Sequence, residues 1–307
     1  MIKLTTEELR LGLDSILYAL PDRIANILKK LPLCVKSGVY ELRLRVNKPI
    51  SLTMEQNFFV SLEGSVSTRL PQNPLIISSK ELNEVITRIC ERSVYAKTEE
   101  LKNGYISMKN GNRAGVCGSF KDGIFSDISS INIRIARTVK GAAKSLYNMA
   151  VKGLFIVGGP GSGKTTLLRD LVRHLSNSGK RVCVVDSRGE IAALYKGVPT
   201  LDVGINTDVL SGICKEKGLE IAIRTMFPEI VAFDEIANKV ELERLFEGFF
   251  AGVKIIATIH AGDKEELKKR VLASKLIKCG VFENIAFLSG KIGGEIEIIS
   301  AKDFAYA

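Results

Sequence analysis

The sequence predicts an α/β protein in two parts: a smaller α+β domain over residues 1–138, followed by a domain with a mostly parallel sheet over residues 139–307. Two observations carry this prediction. In the first part, stretches of alternating apolar and polar residues are mixed with helical patterns, as in a half-buried sheet accompanied by helices. In the second part, short apolar runs recur with helical segments between them, which is typical of parallel strands covered on both faces.

Two capping-box patterns predict helix starts in the first domain. Thr5 and Glu8 precede apolar residues at helical spacing, and Pro21 ends that helix. Ser78 and Glu81 repeat the pattern before a second amphipathic stretch. In such a box, each side chain satisfies a backbone N–H group near the start of the helix. We expect the first helix to pack on its own domain, although an amphipathic helix of this kind can also lie on a membrane.

Strand patterns alternate with these helices. Residues 40–46 and 131–136 alternate apolar and polar side chains, and Asn110-Gly111 predicts a hairpin turn between two further strands. The first domain therefore ends near residue 138, and residues 141–150 are predicted to form a connecting helix.

The second domain contains four apolar runs that predict strands of the parallel sheet. These runs are Leu154–Val157, Arg181–Val185, Glu229–Phe233 and Val253–Ile259. The segment from Lys275 onward is predicted to be a small C-terminal appendage, with a possible hairpin that pairs residues 285–288 with residues 295–299.

Residues 158–165 match the phosphate-loop pattern G-x-x-x-x-G-K-[ST], placed between a predicted strand and a predicted helix. Glycines let the backbone curl so that its N–H groups point at phosphate oxygens, at the positive end of the following helix. Lys164 can then reach the β- and γ-phosphates, and the Thr165 hydroxyl can bind magnesium. The predicted nucleotide-binding residues are Gly158, Gly159, Pro160, Gly161, Ser162, Gly163, Lys164, Thr165 and Thr166.

Two carboxylates, Asp234 and Glu235, directly follow the third apolar run. In phosphate-loop enzymes such a strand ends beside the loop, so Asp234 can hold magnesium through water and Glu235 can polarise the attacking water as general base. Because the second carboxylate has no role in simple nucleotide sensing, this pair favours hydrolysis.

Two further strand ends carry candidate site residues. His260 ends the fourth apolar run, where it and Thr258 would face the γ-phosphate and sense it or position the water. Glu190 lies in the acidic segment after the second run, and it is a candidate to orient water or metal. Asp186, in the same segment, can instead cap a helix.

ATP is a better match than GTP for this site. Asn238-Lys239-Val240-Glu241 resembles a guanine-specificity N-K-x-D sequence, but it ends in Glu and follows the metal-binding strand immediately. The sequence also lacks the L-S-G-G-Q signature of ABC-type ATPases.

The composition favours a cytoplasmic protein. No apolar run is long enough to span a bilayer, and the N-terminus lacks the apolar core of a secretory signal. The six cysteines form no C-x-x-C pair, so neither a disulfide framework nor a thiolate zinc site is predicted. The net charge of +10 favours anionic partners, but the basic residues are spread along the chain.

The order of these motifs resembles that of the hexameric secretion-type ATPases of type II and type IV systems, which include pilus motors. They occur here as the phosphate loop, residues 186–190, residues 224–235 and residues 257–262. Five segments of the first domain are similar to the stage III sporulation protein AA family of endospore-forming bacteria. These are residues 41–45, 93–96, 103–106, 111–115 and 132–137.

This resemblance implies a RecA-like P-loop ATPase that uses ATP and Mg²⁺ and assembles as a ring, most simply a hexamer. It further implies that the ring works in the cytoplasm, at the membrane face of the mother cell, where it energises membrane-embedded subunits of a sporulation channel. Arginines of the first domain would neutralise the phosphates, with Arg134 and Arg137 the best matches and Arg113 behind them. One departure is that pilus motors carry Gly-Glu where this chain has Asp234-Glu235.

Two other functions compete with a ring motor. A nucleic-acid-binding ATPase would account for the net charge of +10, but the chain has no Trp and only 7% aromatic residues for base stacking. A regulatory nucleotide-binding protein with low turnover is the third possibility. Measuring ATP hydrolysis with and without DNA would separate these functions.

Overall fold

The computed structural model describes residues 12–91, 97–121, 124–136, 139–195, 197–236, 238–290 and 294–306. The chain divides into two compact units, Met1–Arg137 and Thr138–Ala307. The predicted capping box at Thr5 and Glu8, and Arg137, lie outside the described residues.

The first unit is built on a seven-stranded antiparallel sheet with strand order β5-β4-β3-β1-β9-β8-β7. Its elements are a 3-10 helix Leu13–Ala19, α1 (Asp22–Lys29), α2 (Leu33–Gly38), β1 (Glu41–Arg45), β2 (Lys48–Pro49), β3 (Ser51–Thr53), β4 (Asn57–Val60), β5 (Val66–Ser67), β6 (Ile76–Ile77), α3 (Ser79–Ile89), α4 (Thr98–Lys102), β7 (Tyr105–Ser107), a 3-10 turn Lys109–Gly111, β8 (Arg113–Lys121) and β9 (Ile124–Arg134). β2 and β6 form a separate antiparallel pair.

The local predictions for this unit are confirmed at two places. Ser78 caps α3 as predicted, since its hydroxyl accepts the Glu81 N–H and the Glu81 carboxylate accepts the Ser78 N–H. Asn110 adopts a φ of 59° in the turn that joins the antiparallel strands β7 and β8. One apolar core gathers residues from the helices and from alternate positions of the strands, as the two-residue period of a half-buried sheet requires.

The second unit is built on a seven-stranded sheet with strand order β14-β11-β15-β16-β10-β17-β18. Its elements are a 3-10 turn Lys144–Leu146, α5 (Tyr147–Ala150), β10 (Leu154–Gly158), α6 (Lys164–Asn177), β11 (Val182–Asp186), β12 (Leu194–Tyr195), β13 (Val198–Pro199), β14 (Thr207–Ser211), α7 (Lys215–Thr225), β15 (Ile230–Phe233), α8 (Lys239–Phe250), β16 (Lys254–His260), α9 (Lys264–Lys269), α10 (Val271–Lys278), β17 (Asn284–Leu288), β18 (Ile296–Ser300) and α11 (Ala301–Tyr306).

Every neighbouring pair from β14 to β17 in this sheet is parallel, and β18 pairs antiparallel with β17. Two separate apolar cores cover the two faces of the sheet. Along β10, Phe155 and Val157 belong to one core, whereas Leu154 and Ile156 belong to the other. This division explains why the strands are continuous apolar runs in the sequence rather than alternating ones.

Two predictions for this unit need correction. The C-terminal segment is not an appendage, because β17 pairs with the phosphate-loop strand β10 and extends the central sheet. The predicted helix over residues 141–150 is shorter than expected and consists of the 3-10 turn and α5 alone. None of the helices in the described part of the chain has the length and apolar character that a membrane span requires.

Candidate functional site

The phosphate loop joins the buried strand β10 to the helix α6. Gly161 and Gly163 have φ values of 73° and 94°, which residues with a side chain rarely adopt. A Cβ atom at Gly158 would lie 2.5 Å from Ser162 Oγ and 3.1 Å from Leu288 Cβ, so a side chain there would force its neighbours to move. The loop is therefore held by glycines in a curled conformation, with the start of a fourteen-residue helix directly behind it.

Lys164 is the first residue of α6, and its side chain is buried within the loop. Its Nζ donates to the carbonyl oxygens of Gly158 and Gly159 at 2.8 Å each, and it lies 3.0 Å from His260 Nδ1. Burial lowers the pKa of the Lys164 ammonium, while the nearby carboxylates of Asp234 and Glu235 oppose that shift.

Asp234 lies at the end of β15, where two threonine hydroxyls donate to its carboxylate. Thr165 Oγ1 donates to Oδ2 at 3.1 Å, and the fully buried Thr258 Oγ1 donates to Oδ1. The Thr165 hydroxyl and the Asp234 carboxylate are thus neighbouring oxygen donors, the type of group that magnesium prefers.

Within the described residues, no group of three or more His, Cys, Asp or Glu side chains could hold a metal alone. The oxygens of Thr165 and Asp234 nevertheless suit magnesium, which commonly binds one or two protein oxygens together with the phosphates of a nucleotide. Thr165 and Asp234 are the residues that would hold the ion.

Glu235 has a φ of 49°, an uncommon value for a residue with a side chain. Its N–H donates to Thr258 Oγ1 at 3.0 Å. Its carboxylate lies between Arg188 and His260. Glu235 Oε2 is 3.9 Å from an Arg188 guanidinium nitrogen and 4.0 Å from His260 Nε2. Glu235 thus has a left-handed backbone conformation, and its carboxylate faces His260.

His260 ends β16, which lies between β15 and β10 in the central sheet. Because the Lys164 ammonium can only donate, His260 Nδ1 must accept, and the ring proton then resides on Nε2 on the side of Glu235. His260 therefore connects the phosphate-loop lysine to the carboxylate of Glu235.

The segment after β11 is organised around Asp186, whose buried carboxylate accepts backbone N–H groups from four consecutive residues. The four donors are Glu190, Ile191, Ala192 and Ala193, at 2.8–3.2 Å. The segment is not helical, so Asp186 holds a loop by its backbone rather than capping a helix as the sequence allowed. Glu190 is held by its backbone at the edge of a small cavity that Asp234 and Glu235 also line.

Arg169, in the second turn of α6, is a site residue that the sequence did not reveal. It is buried, and its Nε donates to the Ile191 carbonyl at 2.6 Å, which ties the helix behind the phosphate loop to the segment after β11. Burial lowers the pKa of Arg169 to about 10, and the carboxylates of Asp186, Glu190 and Asp234 oppose that shift. From the sequence alone, an arginine at this position is indistinguishable from one on a solvated helix face.

Arg134 has surroundings unlike those of the residues around Asp234. It belongs to the first unit, where it is 70% exposed and lies 3.4 Å from the Glu41 carboxylate, and its predicted role at the phosphates remains a prediction.

Comparisons with known proteins agree with this architecture. The sequence model of the family described as "Sporulation stage III, protein AA" matches residues 13–302. The chain is 33% identical over 308 residues to the stage III sporulation protein AA of Bacillus subtilis (strain 168), covering 95% of this chain and 96% of that protein.

Two solved structures are similar in fold. The pilus retraction motor PilT with bound ADP aligns with a TM-score of 0.59 at 15% identity, over 92% of this chain and 85% of that one. The ATPase DotB of Yersinia pseudotuberculosis aligns with a TM-score of 0.59 at 15% identity, over 87% and 77% of the two chains. The predicted fold class, a RecA-like α/β P-loop fold preceded by an α+β region, is confirmed.

Proposed function

Because the chain belongs to the Sporulation stage III, protein AA family, we propose that it is a secretion-type ATPase that binds and hydrolyses Mg-ATP in its second unit. One observation carries this proposal. Hydrogen bonds or contacts of 4.0 Å or less connect five residues from the start of α6, the segment directly after β15 and the end of β16. These residues are Lys164, Thr165, Asp234, Glu235 and His260. Such a cluster behind a glycine-rich loop is what phosphoryl transfer to water requires.

Each residue of the cluster has a separate role in the proposal. The loop backbone of residues 158–166 and Lys164 bind the phosphates, and Thr165 and Asp234 hold magnesium. Magnesium supplies charge neutralisation of the phosphates when it is bound. Glu235 accepts the proton of the attacking water as general base, and His260 senses the γ-phosphate through its contact with Lys164.

The wider function is proposed from the relatives. One structural neighbour is a pilus retraction motor and another is an ATPase, and the Bacillus subtilis relative is a stage III sporulation protein. We infer a homo-oligomeric ring, most simply a hexamer, that acts in the mother-cell cytoplasm at the membrane face and energises membrane-embedded subunits of a sporulation channel. Arg134 and Arg137 are proposed to neutralise phosphate charge during hydrolysis.

Nucleotide binding by variants tests the core of this proposal. Lys164→Ala removes the cation that the loop directs at the β- and γ-phosphates, so ATP affinity should fall by about 10²-fold or more. The matched control is Lys152→Ala, because Lys152 lies in the same unit but is 67% exposed. Isothermal titration calorimetry measures both, and unchanged affinity in Lys164→Ala would remove the central claim.

Two further measurements test the proposed motor. Light scattering with and without ATP should show a mass increase from ring formation, whereas a strict monomer would contradict the ring. Hydrolysis that depends on added DNA would instead favour a nucleic-acid-binding ATPase, a function that the net charge of +10 also favours.

A further inference from the structure

Glu235 has a backbone conformation that must be held in place. Its φ of 49° lies in the left-handed region, which a residue with a side chain occupies only when its surroundings impose it. The direction of its carboxylate depends directly on this conformation, since the side chain leaves the backbone at the same Cα atom. Any group that fixes the peptide bonds on either side of Glu235 therefore also aims the carboxylate.

Two side chains hold these peptide groups, one on each side. On the N-terminal side, the Glu235 N–H donates to Thr258 Oγ1 at 3.0 Å. On the C-terminal side, Lys215 Nζ donates to the Glu235 carbonyl oxygen. Lys215 is the first residue of α7, twenty positions earlier in the chain, and it lines the same small cavity as Glu190, Asp234 and Glu235.

We propose that Lys215 is a positioning residue for ATP hydrolysis: its ammonium fixes the left-handed backbone of Glu235 and so directs the carboxylate at the attacking water. This inference rests on the proposed function, in which Glu235 is the general base. Lys215 acts through the carbonyl oxygen of Glu235 rather than through its carboxylate. A charge-assisted bond from a lysine is about twice as strong as a neutral one, which suits the task of holding an unfavourable backbone angle.

The neighbouring lysine provides a matched control. Lys217 lies two positions further along α7, is more than half exposed, and donates to Glu220 Oε2 at 3.2 Å. Lys215→Met and Lys217→Met remove the same charge from the same helix while keeping an unbranched side chain of helix-forming character. Only the first removes a contact with Glu235.

Steady-state ATP hydrolysis is the first measurement. In Lys215→Met, kcat should fall about tenfold while KM for ATP stays within about twofold, because binding is intact and only the aim of the base is lost. Lys217→Met should match the wild type. Lys215→Arg retains a cationic donor and should recover part of the loss. A raised KM in Lys215→Met, or an unchanged kcat, would overturn the positioning role.

A double-mutant cycle separates positioning of Glu235 from an independent effect. In the Glu235→Gln background there is no general base to aim, so adding Lys215→Met should lower the residual rate by less than about twofold. A further tenfold loss in that background would overturn the proposal. Circular dichroism melts establish that each variant folds. If the wild type shows no hydrolysis, the proposed function itself has failed, which is a different outcome from wild-type turnover that ignores Lys215.

Discussion

An aspartate lies at the C-terminal end of each of two neighbouring strands of the central sheet, β11 and β15, with a glutamate further along the chain, yet the two aspartates have opposite surroundings. Asp186, at the end of β11, accepts four backbone N–H groups and is buried. Asp234, after β15, accepts hydrogen bonds from the hydroxyls of Thr165 and Thr258 and is half-buried.

This difference decides what each carboxylate can do. Backbone N–H groups are fixed donors, so a metal ion could bind Asp186 only if buried N–H groups lost their partner. A hydroxyl can rotate and can itself bind a cation through its lone pairs. Asp234 Oδ2 and the Thr165 hydroxyl can therefore turn toward magnesium while Asp234 Oδ1 keeps its bond from the buried Thr258 hydroxyl. Asp186 therefore serves the fold, whereas Asp234 is free to take part in binding a cation.

The glutamates after the two aspartates should also differ in their roles, and Glu235→Gln should have the largest effect on ATP hydrolysis. The substitution keeps the shape of the side chain and leaves Thr165, Asp234 and the loop intact, so Mg-ATP should still bind. Loss of the general base should lower the hydrolysis rate by about 10²-fold or more. A coupled assay for released phosphate, together with a nucleotide-binding titration, checks both halves. Wild-type turnover in this variant would transfer the role of general base to another residue.

The aspartates should differ in stability rather than in rate. Asp186→Asn replaces one acceptor oxygen by a donor that faces backbone N–H groups, and we expect it to lower the free energy of unfolding by about 3 kcal/mol. In Asp234→Asn the two threonine hydroxyls can reorient, so the loss should be below about 1 kcal/mol. Urea denaturation followed by circular dichroism measures both. Equal losses in the two variants would contradict the separate roles assigned to Asp186 and Asp234.

Most of this site follows from local sequence patterns. The phosphate loop and the pair Asp234-Glu235 are contiguous motifs, and the position of His260 follows from where its strand ends. Their approach in space is a consequence of parallel strands, whose carboxyl ends meet at one edge of the sheet. The capping box at Ser78 is predictable for the same reason, because all its hydrogen bonds lie within four residues.

The remaining features depend on contacts between residues distant in sequence. Arg169 and Lys215 lie on helices, where a basic residue usually faces solvent, and only the packing of α6 and α7 brings them to the segments after β11 and β15. The role of Asp186 was ambiguous because the same acid can cap a helix or face a ligand. The sequence predicts only a small C-terminal appendage, because β17 pairs with β10, a strand that lies more than a hundred residues earlier in the chain.

Of the two glutamate substitutions, Glu190→Gln should have the smaller effect on ATP hydrolysis. Glu190 borders the same cavity as Glu235, but its place is set by its backbone, whose N–H donates to Asp186 and whose carbonyl accepts from Arg169. Glu190→Gln leaves both of these backbone bonds unchanged. We therefore expect ATP hydrolysis to fall by less than about tenfold, well short of the loss in Glu235→Gln. The two variants can be compared in one phosphate-release assay at saturating Mg-ATP. If Glu190→Gln lost as much activity as Glu235→Gln, the catalytic carboxylate would belong to the segment after β11, and the contrast between the two strand ends would have to be reversed.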